Sequence, residues 1–168
     1  MGSTMRAWLV GYVCMTSNGL TLDDYLPYRL SVASNAVSAL IAGTYEHRFG
    51  LRIPEWRLIA VLAEDGPSTQ QALVKRTGMD KVTISRAAQA LNKRKLISRA
   101  PHENDGRSHR IALTEAGQAL HADVAPAAIR IETAVMSNLS GDEVALLKTL
   151  LRRVEKAAHG VDLESAWG

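Results

Sequence analysis

The chain has 168 residues, of which 46% are hydrophobic, enough for one packed domain or two small lobes. No apolar run is long enough to cross a bilayer. The single cysteine, Cys14, excludes an internal disulfide and favours a reducing cytoplasm. The formal net charge is only +3, yet residues 68–113 carry ten basic and three acidic side chains, a net +7 that leaves −4 for the rest. Such a locally basic module is typical of a protein that binds a polyanion.

A long first helix is predicted from about Asp24 to Arg48, because apolar residues recur there at steps of four and three. A second helix begins at Pro54, since proline suits the first turn of a helix. The Asp-Gly-Pro sequence at residues 65–67 is a helix breaker and should end it. These two helices precede the basic module.

Two shorter helices open the basic module. Ser68 and Gln71 have the spacing of a capping box, which predicts that the third helix begins at Ser68. Gly78 supplies the turn after it. Asp80 is the predicted N-cap of a fourth helix, which continues to about Lys93.

The fourth helix is the predicted DNA-reading element. Ile84, Ala88 and Leu91 fall on one face and should pack into the core. The other face has no acidic residue after the N-cap, and arginine and glutamine can pair with base edges while hydroxyls suit phosphates. The residues predicted to contact DNA are Thr69, Lys81, Val82, Thr83, Ser85, Arg86, Gln89 and Lys93, together with Asp105 and Arg107 of the following hairpin.

A β-hairpin follows, with strands predicted at residues 96–100 and 108–113. The connection contains Asp105-Gly106, a dipeptide favoured in hairpin turns because both central positions accept a positive φ. Arg107 comes directly after this turn and can enter a minor groove, whose negative potential attracts arginine. Asp105 either orients an arginine or only forms the turn.

Two further helices follow the hairpin. Thr114 is predicted to cap the fifth helix, which runs to about Asn138 and should be kinked or broken by Pro126. Ser140 and Glu143 have capping-box spacing and begin the sixth helix. The apolar seam of this helix consists of Val144, Leu147, Leu151 and Val154.

The run from Glu55 to Ala157 resembles the MarR family of bacterial regulators, and the resemblance extends back to about Leu22. It is carried by the order and spacing of PEWR at 54–57, GMDKVTISR at 78–86, LISR at 96–99, DGR at 105–107, LTEAG at 113–117 and LSGDE at 139–143. The resemblance implies a homodimer formed by the first and last helices and a pseudo-palindromic operator. It also implies repression that a small aromatic acid or phenol relieves.

Lys95 departs from the family pattern. The family usually has glycine at this position, where it relieves a left-handed turn at the end of the fourth helix. Lys95 is therefore expected to bear a strain of roughly 1 kcal/mol, unless the helix ends differently.

The predicted fold is mainly α, a winged helix-turn-helix with a small β-hairpin wing and long N- and C-terminal helices that form a dimerisation lobe. Residues 1–20 are interpreted as a poorly specified leader. The first dimerisation helix is assigned to 21–53, the DNA-binding lobe to 54–113 and the C-terminal dimerisation helices to 114–168.

The predicted function is a sequence-specific regulator of transcription that binds double-stranded DNA, a homodimeric repressor released by a small aromatic acid or phenol. In the resembled family, effectors lie between the dimer helices and the DNA-binding lobe. Asn35, Ser38 and Trp56 are the candidate effector contacts, with ordinary helix packing as the alternative.

Three other functions remain open at this stage. The chain could bind DNA without a ligand, as an architectural or constitutive factor, or could use a winged helix only for dimerisation. Cys14 could act as a redox sensor, with nearby tyrosines as partners. The five histidines lack metal-ligand spacing, and the sequence has neither a phosphate-binding glycine loop nor a nucleophile elbow. No metal, cofactor or enzymatic activity is therefore predicted.

Overall fold

A computed structural model describes residues 19–102, 105–162 and 164, and for residues 102 and 105–108 it describes the backbone only. The described part of the chain divides into two compact units, one ending at residue 36 and the other beginning at residue 37. The elements are α1 (Leu26–Phe49), α2 (Ile53–Asp65), β1 (Ser68–Thr69), α3 (Gln70–Thr77), α4 (Lys81–Lys93), β2 (Ile97–His102), β3 (Asp105–Leu113), α5 (Glu115–Val135) and α6 (Gly141–Gly160). The predicted mainly α class with a small hairpin wing is confirmed. No helix of the described ranges is long and apolar enough to span a membrane.

The hydrophobic core of the second unit lies where α2, α3 and α4 pack against the small sheet. Leu58, Leu73, Ile84 and Leu91 are all completely buried, and Ala88 is 1% exposed. The prediction that one face of α4 packs inward is thus confirmed. Burial of each large aliphatic side chain contributes about 1.5–3 kcal/mol, and together these contacts fix the rotation of α4 about its own axis.

The sheet has three antiparallel strands in the order β1-β3-β2. Strand β1 was not predicted, and it corrects the start of the third helix. Ser68 pairs with Ile111, and its hydroxyl donates to the carbonyl of Gly66 at 3.1 Å. The N-cap of α3 is Thr69, whose hydroxyl oxygen accepts a hydrogen bond from the backbone of Ala72 at 3.2 Å. The predicted capping box at Ser68 and Gln71 is therefore wrong by one residue.

The hairpin turn also differs from its prediction. His102 pairs with Asp105 in the register of β2 and β3, and β3 begins at Asp105. Asp105 and Gly106 therefore lie in the strand, and the prediction that they occupy the centre of the turn is wrong. Residues 103 and 104 lie outside the described residues.

The helices after the hairpin begin as predicted. The Thr114 hydroxyl oxygen accepts a hydrogen bond from the backbone of Gly117 at 3.1 Å and caps α5. Ser140 and Glu143 form the predicted capping box, with the Ser140 N–H donating to the Glu143 carboxylate at 2.8 Å. The bonds from Ser140 lower the pKa of Glu143. Helix α5 continues through Pro126, so of the predicted kink or break the break is wrong, while the kink stays a prediction.

Candidate nucleic-acid interface

The N-terminal end of α4 is fixed by Asp80, which confirms the predicted N-cap. The carboxylate of Asp80 accepts hydrogen bonds from the backbone N–H of Thr83 at 2.8 Å and from its hydroxyl at 2.6 Å. These bonds, led by that from the hydroxyl, lower the pKa of Asp80. Because the Thr83 hydroxyl proton is committed to Asp80, its oxygen is left as an acceptor. Thr83 is therefore suited to a base amino group rather than to a phosphate oxygen.

The face of α4 opposite the core points into solvent. Its exposed residues are Lys81, Val82, Arg86, Gln89 and Lys93, while Thr83 and Ser85 are half-buried. Val82 is 58% exposed, an unusual position for a branched apolar side chain on an otherwise polar face. This face therefore presents an apolar group that could meet a thymine methyl beside groups that can pair with base edges, and its contact with DNA stays a prediction.

The start of α3 is joined to the start of α4. The side-chain amide of Gln70 donates to the backbone carbonyl of Lys81 at 3.3 Å. Thr69 is half-buried, and its hydroxyl oxygen is engaged as the α3 cap. The structure thus links the two helix starts that carry the predicted DNA contacts Thr69 and Lys81. Whether these residues contact DNA stays a prediction.

Three of the basic side chains that produce the +7 charge are held by intramolecular contacts. Arg76 donates to the carboxylate of Asp65 at 2.9 Å, and this bond raises the pKa of Arg76. Arg110 donates to the carbonyl of Pro67 at 3.0 Å. Arg94 donates to two backbone carbonyls at the end of α1. Sequence reasoning counted these charges as part of the DNA footprint and missed their contacts, since the partners of all three lie more than ten residues away.

The predicted wing contacts Asp105 and Arg107 lie in the backbone-only part of β3. Their side chains, and Cys14 of the proposed redox alternative, fall outside what the structure describes. The minor-groove role of Arg107 therefore stays a prediction, as does the orienting role of Asp105.

The candidate effector residues occupy different environments. Trp56 is half-buried, with its ring 5.5 Å from that of Tyr45 and 5.6 Å from that of His121, against which it is stacked at 14°. Burial raises the pKa of Tyr45. Ser38 is half-buried and Asn35 is exposed. The aromatic contacts show that Trp56 packs within the second unit, and His121 is a neighbour that sequence reasoning did not identify.

Two cavities lie beside the helix-turn-helix. One, of about 380 Å³, is formed by the end of α2, by β3 and by the start of α5, and its polar side chains are Gln118 and His121. The other, of about 220 Å³, lies between the start of α2 and α4. It is lined by Arg52, Pro54, Glu55, Thr83, Arg86, Ala87 and Ala90. Within the described residues, no group of three or more His, Cys, Asp or Glu side chains could hold a metal ion.

The C-terminal end of α4 turns at Lys95, the only non-glycine residue with a positive φ among the described positions, at 58°. The N–H of Lys95 donates to the carbonyl of Asn92 at 2.9 Å, and that of Leu96 to the carbonyl of Leu91 at 3.0 Å. This pair of bonds is the Schellman motif, which normally has glycine at the left-handed position. The expected left-handed turn at Lys95 is therefore present.

Replacement of Lys95 by glycine should stabilise the protein. A side chain in the left-handed region costs about 1–2 kcal/mol, and part of the gain is offset because glycine loses more entropy on folding. We expect Lys95→Gly to raise the free energy of unfolding by about 0.5–1 kcal/mol in urea denaturation. Lys95→Ala is the matched control, because it removes the same charge but keeps the strain. Equal stability of the two variants would contradict this account.

The arrangement of α2, α3, α4 and the β-hairpin, with an exposed basic face on α4, defines a winged helix-turn-helix protein. The family model described as "MarR family" matches residues 49–108. The HTH-type transcriptional repressor NicR of Pseudomonas putida is 34% identical over 98 residues, which span 58% of this chain and 62% of NicR. The chain thus aligns with less than two thirds of that relative.

Two solved structures extend the similarity over most of the chain. A probable transcriptional regulator from Pseudomonas aeruginosa is 34% identical, with a TM-score of 0.71 over 80% of this chain and 99% of that one. A MarR/EmrR family transcriptional regulator from Acinetobacter sp. ADP1 is 26% identical, with a TM-score of 0.79 over 84% of this chain and all of that one. The chain belongs to the MarR family of transcriptional regulators.

Proposed function

We propose that the protein binds a specific double-stranded DNA sequence by inserting α4 into the major groove. The observation that carries this proposal is the division of α4 into a buried apolar face and an exposed face of basic, amide and apolar side chains. Asp80 fixes the first end of the helix, and the Schellman turn fixes the other. A helix held in this way loses little conformational entropy when it enters a groove, so more of the contact energy contributes to affinity.

The DNA contacts divide into two classes by chemistry. Arg86 and Gln89 can each form paired hydrogen bonds with a base edge, arginine with guanine and glutamine with adenine. Lys81 and Lys93 lie at the two ends of α4 and act as point charges for phosphates. From the wing, Arg107 supplies the proposed minor-groove contact. The first class reads sequence, whereas the lysines set affinity and its dependence on salt.

The active form is proposed to be a homodimer in which residues 21–53 and 114–168 supply the dimerisation helices and residues 54–113 the DNA-binding lobe. None of the residues of α6, all of which are described, is buried in the single chain. Leu146, Leu150, Leu151 and Val154 are between 41% and 57% exposed. A row of this kind along a helix is expected to be covered by another apolar surface. A second copy supplies such a surface and also gives the two half-site readers that a pseudo-palindromic operator requires.

Repression is the proposed outcome of DNA binding, supported by the similarity to a relative named as a repressor. The protein would act in the cytoplasm, where its operator lies.

A bound small acid or phenol is proposed to relieve repression. The cavity between α2 and α4 is the candidate site for an acid, because two arginines, Arg52 and Arg86, line it against a single carboxylate, Glu55. An acid paired with Arg86 would withdraw that guanidinium from DNA. Asn35, Ser38 and Trp56 remain candidate contacts for an effector held elsewhere.

The test is selection of duplexes from a random pool, followed by sedimentation of the complex. We expect an enriched sequence with two-fold symmetry, half-sites about 10 base pairs apart, and two 18.2 kDa chains per duplex. A panel of aromatic acids and phenols is then added to the complex, and one or more should displace the protein. Failure to enrich any sequence would contradict specific DNA binding, and a monomer on DNA would contradict the dimer. Enrichment without displacement would favour a ligand-independent factor.

A further inference from the structure

Arg94 follows the last residue of α4, and its side chain reaches back to the end of α1. One terminal nitrogen donates to the carbonyl of Gly50 at 2.7 Å, and the other to the carbonyl of Phe49 at 3.3 Å. The first of these nitrogens also lies 3.9 Å from the carboxylate of Glu55. One guanidinium thus contacts groups at the end of α1 and at the start of α2.

The groups that Arg94 contacts explain why an arginine is needed there. Phe49 is the last residue of α1, so its carbonyl lacks a helical partner, and Gly50, with φ at 59°, turns the chain away. These carbonyls form the negative end of the α1 dipole, which a cation stabilises. Two neighbouring carbonyls match the planar fork of a guanidinium, whereas a lysine ammonium is a single point charge.

Glu55 adds a buried negative charge to the same corner. Its side chain is only 10% exposed, and its carboxylate accepts a hydrogen bond from the backbone N–H of Arg52 at 3.0 Å. A buried carboxylate is costly without a nearby cation or donor. Arg94 supplies the cation, so its position is favoured by the carboxylate as well as by the carbonyls.

A second pair of hydrogen bonds joins the C-terminal end of α4 to the residue that caps α5. The hydroxyl of Thr114 donates to the carbonyl of Lys95 at 2.7 Å, and the backbone N–H of Thr114 donates to the carbonyl of Leu96 at 3.1 Å. Arg94 and Thr114 together join the end of α4 to the end of α1 and to the start of α5. The left-handed turn at Lys95 lies between the hydrogen bonds of Arg94 and those of Thr114.

We propose that Arg94 is a positioning residue for α4. It holds the C-terminal end of this helix against the corner between α1 and α2, and it makes no contact with DNA. The expected effect on affinity rests on the proposed DNA binding. The positioning of α4 by Arg94 is a property of the free protein and can be tested without DNA. The side chain of Arg94 is 40% exposed, but its terminal nitrogens donate to protein carbonyls. The preceding residue, Lys93, lies on the proposed DNA face.

The salt dependence of DNA binding separates positioning from a phosphate contact. Each phosphate contact contributes about 0.9 to the slope of log affinity against log salt concentration. We expect Arg94→Met to lower operator affinity about tenfold at every salt concentration with the slope unchanged, a loss of roughly 1.4 kcal/mol. Lys93→Ala is the matched control and should reduce the slope by about 0.9. Arg94→Lys keeps the charge but loses the fork, so it should bind nearly as weakly as Arg94→Met.

Two results of the DNA-binding measurements would overturn the proposal. One is a reduced slope in Arg94→Met, and the other is near wild-type affinity in Arg94→Lys, since a lysine can replace an arginine at a phosphate. Hydrogen exchange of the free protein provides the independent measurement. Arg94→Met should speed exchange of the Lys95 and Leu96 amides by severalfold while the amides at the centre of α4 keep their protection. Unchanged exchange of both amides in Arg94→Met would overturn the positioning role of Arg94, whether or not the protein binds a duplex. If the wild type fails to bind DNA, only the proposed DNA-binding function is contradicted.

Discussion

Gly117→Ala should destabilise the protein by about 3 kcal/mol or more, at the upper end of what overpacking costs. A methyl group at this position would overlap the backbone carbonyl oxygen of Leu96. It would also lie 3.1 Å from that carbonyl carbon and 3.2 Å from the Leu113 Cδ2. The carbonyl cannot rotate away, because Leu96 leads directly into β2 and its oxygen accepts the N–H of Thr114. The start of α5 would therefore have to move away from the end of α4.

The sign of this effect separates packing from helix propensity. In an isolated helix, alanine is favoured over glycine by about 0.5–1 kcal/mol, so propensity alone predicts stabilisation. Gly141→Ala in the first turn of α6 is the matched control, since no atom lies within 4 Å of the added Cβ there. Urea denaturation should show a large loss for Gly117→Ala and a change within about 0.5 kcal/mol for Gly141→Ala. If Gly117→Ala is as stable as the wild type, α5 does not approach α4 as closely as described.

Arg86→Ala should lower affinity for the selected operator by about 1–3 kcal/mol, the range for a forked contact with a base. Arg86 is exposed on α4, one helical turn from Val82 and on the side away from the core. Its planar guanidinium can pair with guanine through two hydrogen bonds. Fluorescence anisotropy at fixed salt measures the loss on the operator and on a scrambled duplex of equal length. The loss should be larger on the operator, because a base contact is made only there.

Arg76→Ala is the control for this experiment. Arg76 belongs to the same basic module, but its guanidinium is paired with Asp65 and Glu64. Its removal takes away the same formal charge and should change operator affinity by less than about threefold, since exposed ion pairs contribute little. Equal losses for the two variants would indicate that only the summed charge matters, and α4 would not be the reading element.

The parts of the fold that were predicted correctly are those determined by neighbours in sequence. The inward face of α4 follows from residues three and four apart, and the caps at Asp80, Thr114 and Ser140 bond to amides three residues ahead. The MarR-family resemblance is confirmed for a related reason, because its motifs are short segments in a characteristic order along the chain.

The errors arose where distant residues decide the local structure. Ser68 and Thr69 can both cap a helix, and the choice is made by the pairing of Ser68 with Ile111 in β3. The turn of the hairpin is set by the register of its strands rather than by the Asp-Gly dipeptide alone. The contacts of Arg94 span 44 and 45 residues, so its charge could be counted from the sequence but not assigned to a partner.

The position of α6 along the chain has a consequence for biosynthesis. Every residue of the buried core cluster, from Tyr45 to Val124, precedes α6. Domains fold as units while the chain is being made, beginning with the residues synthesised first. The helix-turn-helix can therefore close over its own core before the ribosome has released the exposed leucines of α6. These leucines do not compete for that core, and the proposed dimer would bury them against a second chain.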